Sequence, residues 1–245
     1  MQQPATAGQQ PATAGRVRRA RPEEDPSSGG ALLNIAAVIV GTTALGPGVR
    51  SVVWVQGCPF RCPGCIAPEW IADREARLVS PTELAAELLT DPIVTGLTLS
   101  GGEPMAQAKA LAELVRAARV DRDLGVVCFT GYRLERLRAP DAPAGAADLL
   151  DAIDVLIDGT YLAARNDGRG LRGSDNQRIH YLTDRYRDNG YDFTGRERDV
   201  DIVVTERAAF LVGVPTKRVL AAFENATDRL AASAASVGGV QTGET

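Results

Sequence analysis

The stretch SVVWVQGCPFRCPGC, residues 51–65, contains the pattern on which the fold assignment of this chain depends. Its first five residues are rich in valine and predict a short strand over residues 51–55. Cys58, Cys62 and Cys65 follow in the spacing C-x3-C-x2-C. The three thiols are therefore expected on one loop at the carboxyl end of a strand, which is where α/β proteins place their sites.

This cysteine triplet favours metal or redox chemistry over a disulfide framework, because the chain has four cysteines and no secretory signal. A structural zinc site needs four protein ligands, and the candidates for the fourth are Cys128 and His180. Neither of them forms a second ligand pair. Three thiolates without a fourth suit a 4Fe-4S cluster with one open iron. Zinc and a redox-active pair at Cys62 and Cys65 remain the alternatives.

A second motif, SGGEP at residues 100–104, follows another predicted strand and precedes a helix. Adjacent glycines let the backbone approach a ligand closely, and exposed peptide groups at such a turn can bind a zwitterion. We expect Gly102 to lack a side chain because the backbone there meets the ligand. A Gly-Gly turn with no ligand is the alternative for this motif taken alone.

Apolar runs and helical patterns alternate along the rest of the chain. Ser80-Pro81-Thr82-Glu83 is a capping box and predicts a helix start. The alternation predicts an α/β fold with mostly parallel strands joined by right-handed crossovers. Strands are expected at residues 32–40, 51–55, 96–100, 125–130, 154–157 and 200–204, and further helices near residues 111–118, 134–137, 146–153 and after Pro215.

Composition excludes several function classes. The net charge of −4 and the lack of a long basic run argue against a nucleic-acid partner. No stretch approaches the ~20 apolar residues of a membrane span, so we expect no membrane partner and a cytoplasmic location. We expect three regions: a disordered tail at residues 1–30 with its tandem QQPATAG repeat, one domain at 31–233, and a frayed end at 234–245.

Together, CPFRCPGC and SGGEP resemble the radical S-adenosylmethionine superfamily. The resemblance is nearest to its small activating-enzyme branch, typified by the activases of anaerobic ribonucleotide reductase and pyruvate formate-lyase, and it covers roughly residues 33–223. Further matches are WVQG at 54–57, PEW at 68–70, TGY at 130–132, DVLIDG at 154–159 and RGSDNQRI at 172–179.

The resemblance implies a partial, open β/α barrel with the cluster loop at the end of an early strand. Cys58, Cys62 and Cys65 would bind three irons, and the amino and carboxylate groups of S-adenosylmethionine would chelate the fourth. The residues implied to bind this cofactor are Gly64, Gly101, Gly102, Glu103, Pro104, Thr130 and Asp158. Reductive cleavage would give a 5'-deoxyadenosyl radical that abstracts hydrogen from a substrate.

Three functions follow as hypotheses. The first is an activase that installs a glycyl radical on a larger enzyme, with a flavodoxin or ferredoxin as electron donor. The second is a stand-alone enzyme that modifies a small molecule or peptide, and the third is a zinc or iron-sulfur module without turnover. The sequence departs from the activases at two places. Ile66-Ala67 stands where activases commonly carry a polar pair, and Thr160 stands where the pyruvate formate-lyase branch has a lysine.

The remaining candidates have ordinary interpretations beside functional ones. Cys128 lies in an apolar run and is expected in the core. His180 is expected as a loop or packing residue. The segment from residue 161 to residue 191 is long for a loop and is interpreted as a partner or substrate lid containing Arg172, Asn176 and Arg178, with a solvated charged loop as the alternative.

Overall fold

A computed structural model describes residues 31–204 and 209–237 of the chain, and for residues 231–237 the backbone alone. The helices are α1 (Pro81–Leu88), α2 (Ala108–Asp121), α3 (Leu134–Leu137), α4 (Ala146–Ala152) and α5 (Lys217–Val237). The strands are β1 (Leu33–Thr42), β2 (Arg50–Val55), β3 (Arg77–Val79), β4 (Gly96–Gly101), β5 (Gly125–Thr130), β6 (Val155–Asp158), β7 (Arg178–Tyr181), β8 (Val200–Val204) and β9 (Ala209–Gly213).

Seven of the strands form one sheet in the order β3-β1-β2-β4-β5-β6-β7. The four central strands, β2, β4, β5 and β6, run parallel to one another. On one side β1 pairs antiparallel with β2, and β3 pairs antiparallel with β1. On the other side β7 pairs antiparallel with β6. The sheet is open, with β3 and β7 at its edges. The parallel pairing of the four central strands confirms the predicted α/β class. β8 and β9 form a separate antiparallel pair.

The crossover helices α1, α2 and α4 cover one face of this sheet. Their apolar side chains pack with the strand residues of that face into one buried cluster, of which Leu84, Leu111 and Leu149 are members. Cys128 lies in the same cluster and is fully buried, which confirms that it is a core residue. The opposite face is covered by later parts of the chain, among them Leu171, Phe193 and Val212.

Most of the expected elements are present with shifts of one or two residues, but the interpretation of residues 161–191 as one loop is wrong. β7 lies within it and pairs with β6 so that Arg178 stands opposite Asp158 and His180 opposite Leu156. Its side chains are only half-buried because it is an edge strand, so its sequence lacks the apolar run of the central strands. β3 and β9 were not predicted either.

Two expectations concern the ends of the chain. The disordered tail at residues 1–30 lies outside the described residues. α5 extends to Val237, and the rest of the segment predicted to fray lies outside the described residues too, so these boundaries stay predictions. No helix within residues 31–204 or 209–237 has the length and apolar character that a membrane span requires.

The predicted capping box of α1 is present. The Ser80 hydroxyl accepts a hydrogen bond from Glu83 N at 3.2 Å, and the Glu83 carboxylate accepts one from Ser80 N at 3.2 Å. Both bonds satisfy N–H groups that have no partner within the first turn of a helix.

Loss of this cap should be measurable. Ser80→Ala is expected to lower the free energy of unfolding by about 1 kcal/mol in denaturant titrations, because an N–H of the first turn loses its acceptor. Ser80→Asp, which supplies another acceptor at the same position, serves as the control and should recover most of the loss. An equal loss in both variants would show that the cap does not stabilise α1.

Candidate iron-sulfur and cofactor site

The loop that follows β2 and the turn that follows β4 are in direct backbone contact. β2 and β4 pair in register, with Val55 opposite Gly101. The two segments that follow these strands therefore leave the sheet at the same level. Gly102 N donates to the carbonyl oxygen of Val55 at 2.7 Å, and Glu103 N donates to that of Gly57 at 2.9 Å. The cysteine loop and the GGEP turn, distant in sequence, thus form one unit.

Gly102 is the residue that permits this contact. A Cβ added at Gly102 would stand 2.2 Å from the carbonyl oxygen of Gly57, which is far inside van der Waals contact. Gly101 has a positive φ of 103°, and a Cβ there would stand 2.4 Å from Val55 N. We expected Gly102 to make room for a ligand; the structure gives a different reason, which is the approach of the cysteine loop.

The carboxylate of Glu103 links the ends of β4 and β5. It is fully buried and accepts hydrogen bonds from Met105 N, Thr130 Oγ1 and Gly131 N, each at 2.8 Å. Burial raises the pKa of Glu103 to about 7, although these three hydrogen bonds act in the opposite direction. Glu103 and Thr130 therefore position the strand ends against each other.

Cys58, Cys62 and Cys65 all line one cavity of about 440 Å³ together with the SGGEP turn. Each of the three is partly exposed and unbridged. Burial, with a smaller effect from the neighbouring Glu103, Cys62 and Cys65, raises the pKa of Cys58 to about 11; burial also raises the pKa of Cys65. Positively charged iron would offset both effects and hold the thiolates ionised.

The donor set consists of three thiols, which are soft ligands of the kind that bind iron-sulfur clusters. Among the described residues, no three His, Cys, Asp or Glu side chains converge on one point. In a 4Fe-4S cluster each thiolate would bind a different iron. Three thiols on one loop, facing a shared cavity, are the residues that would hold it.

The cavity also contains residues that the sequence did not single out. Among the described lining residues are most of the expected ones, namely the three cysteines, Gly101, Gly102, Glu103, Pro104 and Thr130. Gly64 is not among them; its φ of 74° is positive, and a Cβ there would stand 2.9 Å from that of Ala163. Lining residues near the strand ends that were not among the predicted site residues, although most of them belong to the quoted motifs, are Ser100, Phe129, Gly131, Gly159, Tyr161, Gly173 and Gln177.

Residues 44–180 match the protein family described as the 4Fe-4S single cluster domain. This range includes the cysteine loop, the GGEP turn and β7. The chain belongs to this family. The match covers more than half of the chain and confirms the resemblance inferred from CPFRCPGC and SGGEP.

Similar curated proteins are named anaerobic ribonucleoside-triphosphate reductase-activating proteins. The one from Enterobacteria phage T4 is 33% identical over 147 residues, covering 57% of this chain and 88% of the relative. The one from Vibrio cholerae serotype O1 is 37% identical over 146 residues, covering 56% and 91%. The one from Escherichia coli K12 is 29% identical over 153 residues, covering 56% and 91%.

Asp158, the family's expected strand-end position, lies in an ion-pair cluster. Its carboxylate is fully buried and accepts hydrogen bonds from Leu134 N at 2.7 Å and from Arg178 Nη2 at 2.5 Å, while His180 Nε2 lies 3.0 Å away. Burial alone would raise the pKa of Asp158, but the hydrogen bonds from Arg178 and Leu134 lower it to about 2. At this strand end the described lining of the cavity includes Gly159 and not Asp158.

The three residues assigned to a partner lid are also engaged elsewhere. Arg172 bonds to Asp167 at 3.2 Å, Asn176 Nδ2 donates to the carbonyl of Thr160 at 2.9 Å, and Arg178 bonds to Asp158 and Glu135. None of the three is among the described residues that line the cavity. Arg178 is a strand residue held in an ion pair, and the assignment of the three residues to a partner or substrate lid stays a prediction.

Gln177, from the same segment, is the residue that reaches the cavity. Its Oε1 accepts a hydrogen bond from Gly173 N at 2.8 Å, and its Nε2 donates to the carbonyl of Gly159 at 2.7 Å. Gln177 thus fixes Gly173 and Gly159, two other lining residues. Gln177 belongs to the RGSDNQRI match, but only Arg172, Asn176 and Arg178 of that motif were predicted as site residues.

The contact at Gly102 predicts a loss of cluster binding. In Gly102→Ala the methyl group would overlap the carbonyl of Gly57 and displace the cysteine loop, so iron content after anaerobic reconstitution should fall by more than about half. Gly190→Ala is the control for steric overlap, because a Cβ at Gly190 meets nothing within 4 Å, although its φ of 78° adds a backbone strain that Gly102 does not have. Full iron content in Gly102→Ala would contradict the proposed contact.

The Asp158 cluster predicts a pH-dependent loss of stability. Asp158→Asn should lower the free energy of unfolding at pH 7 by about 2 kcal/mol, since the carboxyl pKa is depressed from about 3.8 to about 2. The lowered pKa stabilises the native state above pH about 4, and this stabilisation is lost as pH falls towards 2. The difference between wild type and variant should therefore shrink over that range.

Glu135→Gln provides the control for this prediction. Glu135 bonds to the same Arg178, but its side chain is 70% exposed, so its ion pair is screened by water. The free energy of unfolding should change by less than about 0.5 kcal/mol. Equal losses in the two variants would show that burial does not decide the strength of these pairs.

Proposed function

We propose that this chain is an activating enzyme that cleaves S-adenosylmethionine reductively and generates a glycyl radical on a partner enzyme. The observation that carries the proposal is the unit formed by the cysteine loop and the GGEP turn at one cavity. The proposal is supported by family membership and by relatives named as activating proteins of anaerobic ribonucleoside-triphosphate reductase. Such a reductase, as a glycyl radical enzyme, is the proposed partner.

In this proposal Cys58, Cys62 and Cys65 hold a 4Fe-4S cluster through three of its irons. When bound, such a cluster would supply the electron for reductive cleavage of S-adenosylmethionine, and this chemistry would remove one hydrogen atom from a glycine Cα of the partner. The chain itself therefore needs no general base. Its tasks are to bind, to orient and to exclude water.

The GGEP turn would bind the amino group of S-adenosylmethionine through carbonyl oxygens. The N–H groups of Gly102 and Glu103 already donate to Val55 and Gly57, so the turn has hydrogen-bond acceptors rather than these donors to offer. An ammonium group is a donor only and suits such a surface. Glu103 acts as a positioning residue, because its carboxylate is occupied by Met105, Thr130 and Gly131.

Further parts of the proposal extend beyond this site. We take the open sheet with its parallel central strands as a partial β/α barrel whose cavity lies at the carboxyl ends of the strands. The electron would come from a flavodoxin or ferredoxin, in the cytoplasm, with no nucleic acid or membrane involved. Gly64 and Asp158 would act indirectly, by fixing the cysteine loop and the end of β6.

The cysteines allow a direct test. Cys58→Ala, Cys62→Ala and Cys65→Ala should each reduce reductant-dependent release of 5'-deoxyadenosine by at least about 100-fold, because each removes one iron ligand. Cys128→Ala, the control, should keep most of the activity, since this residue lies in the core away from the cavity. The assay is 5'-deoxyadenosine release by anaerobically reconstituted protein, with about four irons per chain expected in the wild type.

Two results would contradict the proposal. One zinc per chain without cleavage would indicate a metal-binding module without turnover. Cleavage without the glycyl doublet in electron paramagnetic resonance, after mixing with the anaerobic reductase of the same genome, would favour a stand-alone enzyme that modifies a small molecule or peptide.

A further inference from the structure

The described residues beyond position 180 form a part of the site that the family match does not include. The match ends at residue 180, and the alignments with the T4 and Vibrio proteins already cover 88 and 91% of those relatives. Residues 181–237 therefore lie outside the family match. In this protein that segment includes β8, β9 and α5.

This segment packs firmly on the sheet. Val212 is fully buried in the apolar cluster on the face opposite the crossover helices, together with Tyr186 and Phe193. The Tyr186 hydroxyl lies 3.1 Å from the guanidinium of the buried Arg50, and Thr42 Oγ1 donates to Asp201 at 2.5 Å. The segment is thus fixed to β1 and β2 at several points and carries its side chains to defined positions.

Part of the segment lines the cavity that contains the three cysteines. We name this part the C-terminal wall; its residues are Phe210, Leu211, Val214, Leu220, Phe223 and Glu224. All but one are apolar, so they would desolvate whatever lies against them. A substrate that approaches the cofactor must therefore fit the space that this wall leaves.

The charge of the cavity restricts the substrate further. Its described lining includes the carboxylates Glu69, Glu103 and Glu224 but no Lys, Arg or His. A phosphate or carboxylate that enters this space without reaching the iron would lose its hydration and meet no cationic side chain among the described lining residues, which is costly. An uncharged peptide segment around a glycine meets no such cost.

We infer that the C-terminal wall is a specificity determinant that admits an uncharged segment of a protein substrate and excludes anionic small molecules. The inference rests on the proposed function and deepens it, because it addresses which substrates can reach the radical. It favours a loop of a glycyl radical enzyme over the anionic metabolites that a stand-alone enzyme could modify.

The first experiment changes the wall. Leu220→Asp places a charge on it, whereas Ala221→Asp places the same charge on the next, exposed residue of α5, which does not line the cavity. We measure glycyl radical formed on the anaerobic reductase of the same genome per 5'-deoxyadenosine released. This ratio should fall at least about tenfold in Leu220→Asp and stay at the wild-type value in Ala221→Asp. In Leu220→Met, which keeps an apolar side chain at this position, the ratio should be close to the wild-type value.

The second experiment uses the wild-type protein and does not depend on how the variants fold. A capped peptide spanning the radical glycine of that reductase, with alanine at both flanking positions, should inhibit radical transfer. The same peptide with aspartate at those positions should need at least about tenfold more for equal inhibition. This comparison tests the charge selection directly.

The outcomes separate the two proposals. A wild-type ratio in folded Leu220→Asp, or equal inhibition by both peptides, would overturn the role of the C-terminal wall while leaving the activase intact. Absence of 5'-deoxyadenosine or of a glycyl signal with the wild type would reject the proposed function itself, and the inference with it.

Discussion

The close approach of two backbone segments, Gly57 and Gly102, is the constraint on which the site depends. A peptide oxygen lies 2.2 Å from the position where any other residue at 102 would carry its Cβ. The approach requires that β2 and β4 pair in register and that residue 102 is glycine. With this contact, the three thiols and the GGEP turn face one cavity; without it, the cysteine loop would lose this link to the end of β4.

Electrostatics around this contact follow from burial. Glu103 is enclosed and receives three hydrogen bonds, so it acts as a rigid link between strand ends. The thiols of Cys58 and Cys65 resist ionisation until positive charge is supplied, which couples their thiolate form to metal loading. Asp158 shows the opposite case, a buried carboxylate whose donors hold it ionised. Burial and hydrogen bonding thus act with different balance on Glu103, on the loop thiols and on Asp158, and give each of them a different role.

Local signals predicted the fold and the cysteine site well. The capping box at Ser80, the valine-rich strand before Cys58 and the GGEP turn each depend on neighbours in sequence, and each was identified. Contacts between distant segments were not: β7 is a half-polar edge strand, and Arg178 looked like a free lid residue until its pairing with Asp158 was known. Phe210 and Leu220 gave no signal either, because an apolar residue that lines a cavity has the same pattern as one in a core.

The in-register pairing of β2 and β4 also determines where this protein can tolerate insertions and deletions. Removing one residue within β4 would turn its side chains to the opposite face and move Gly102 away from Gly57. Extra residues between α1 and β4 would leave that pairing intact, because loop closure grows costly only slowly with length. Insertions between α1 and β4 should therefore be tolerated better than any change of length within β2 or β4.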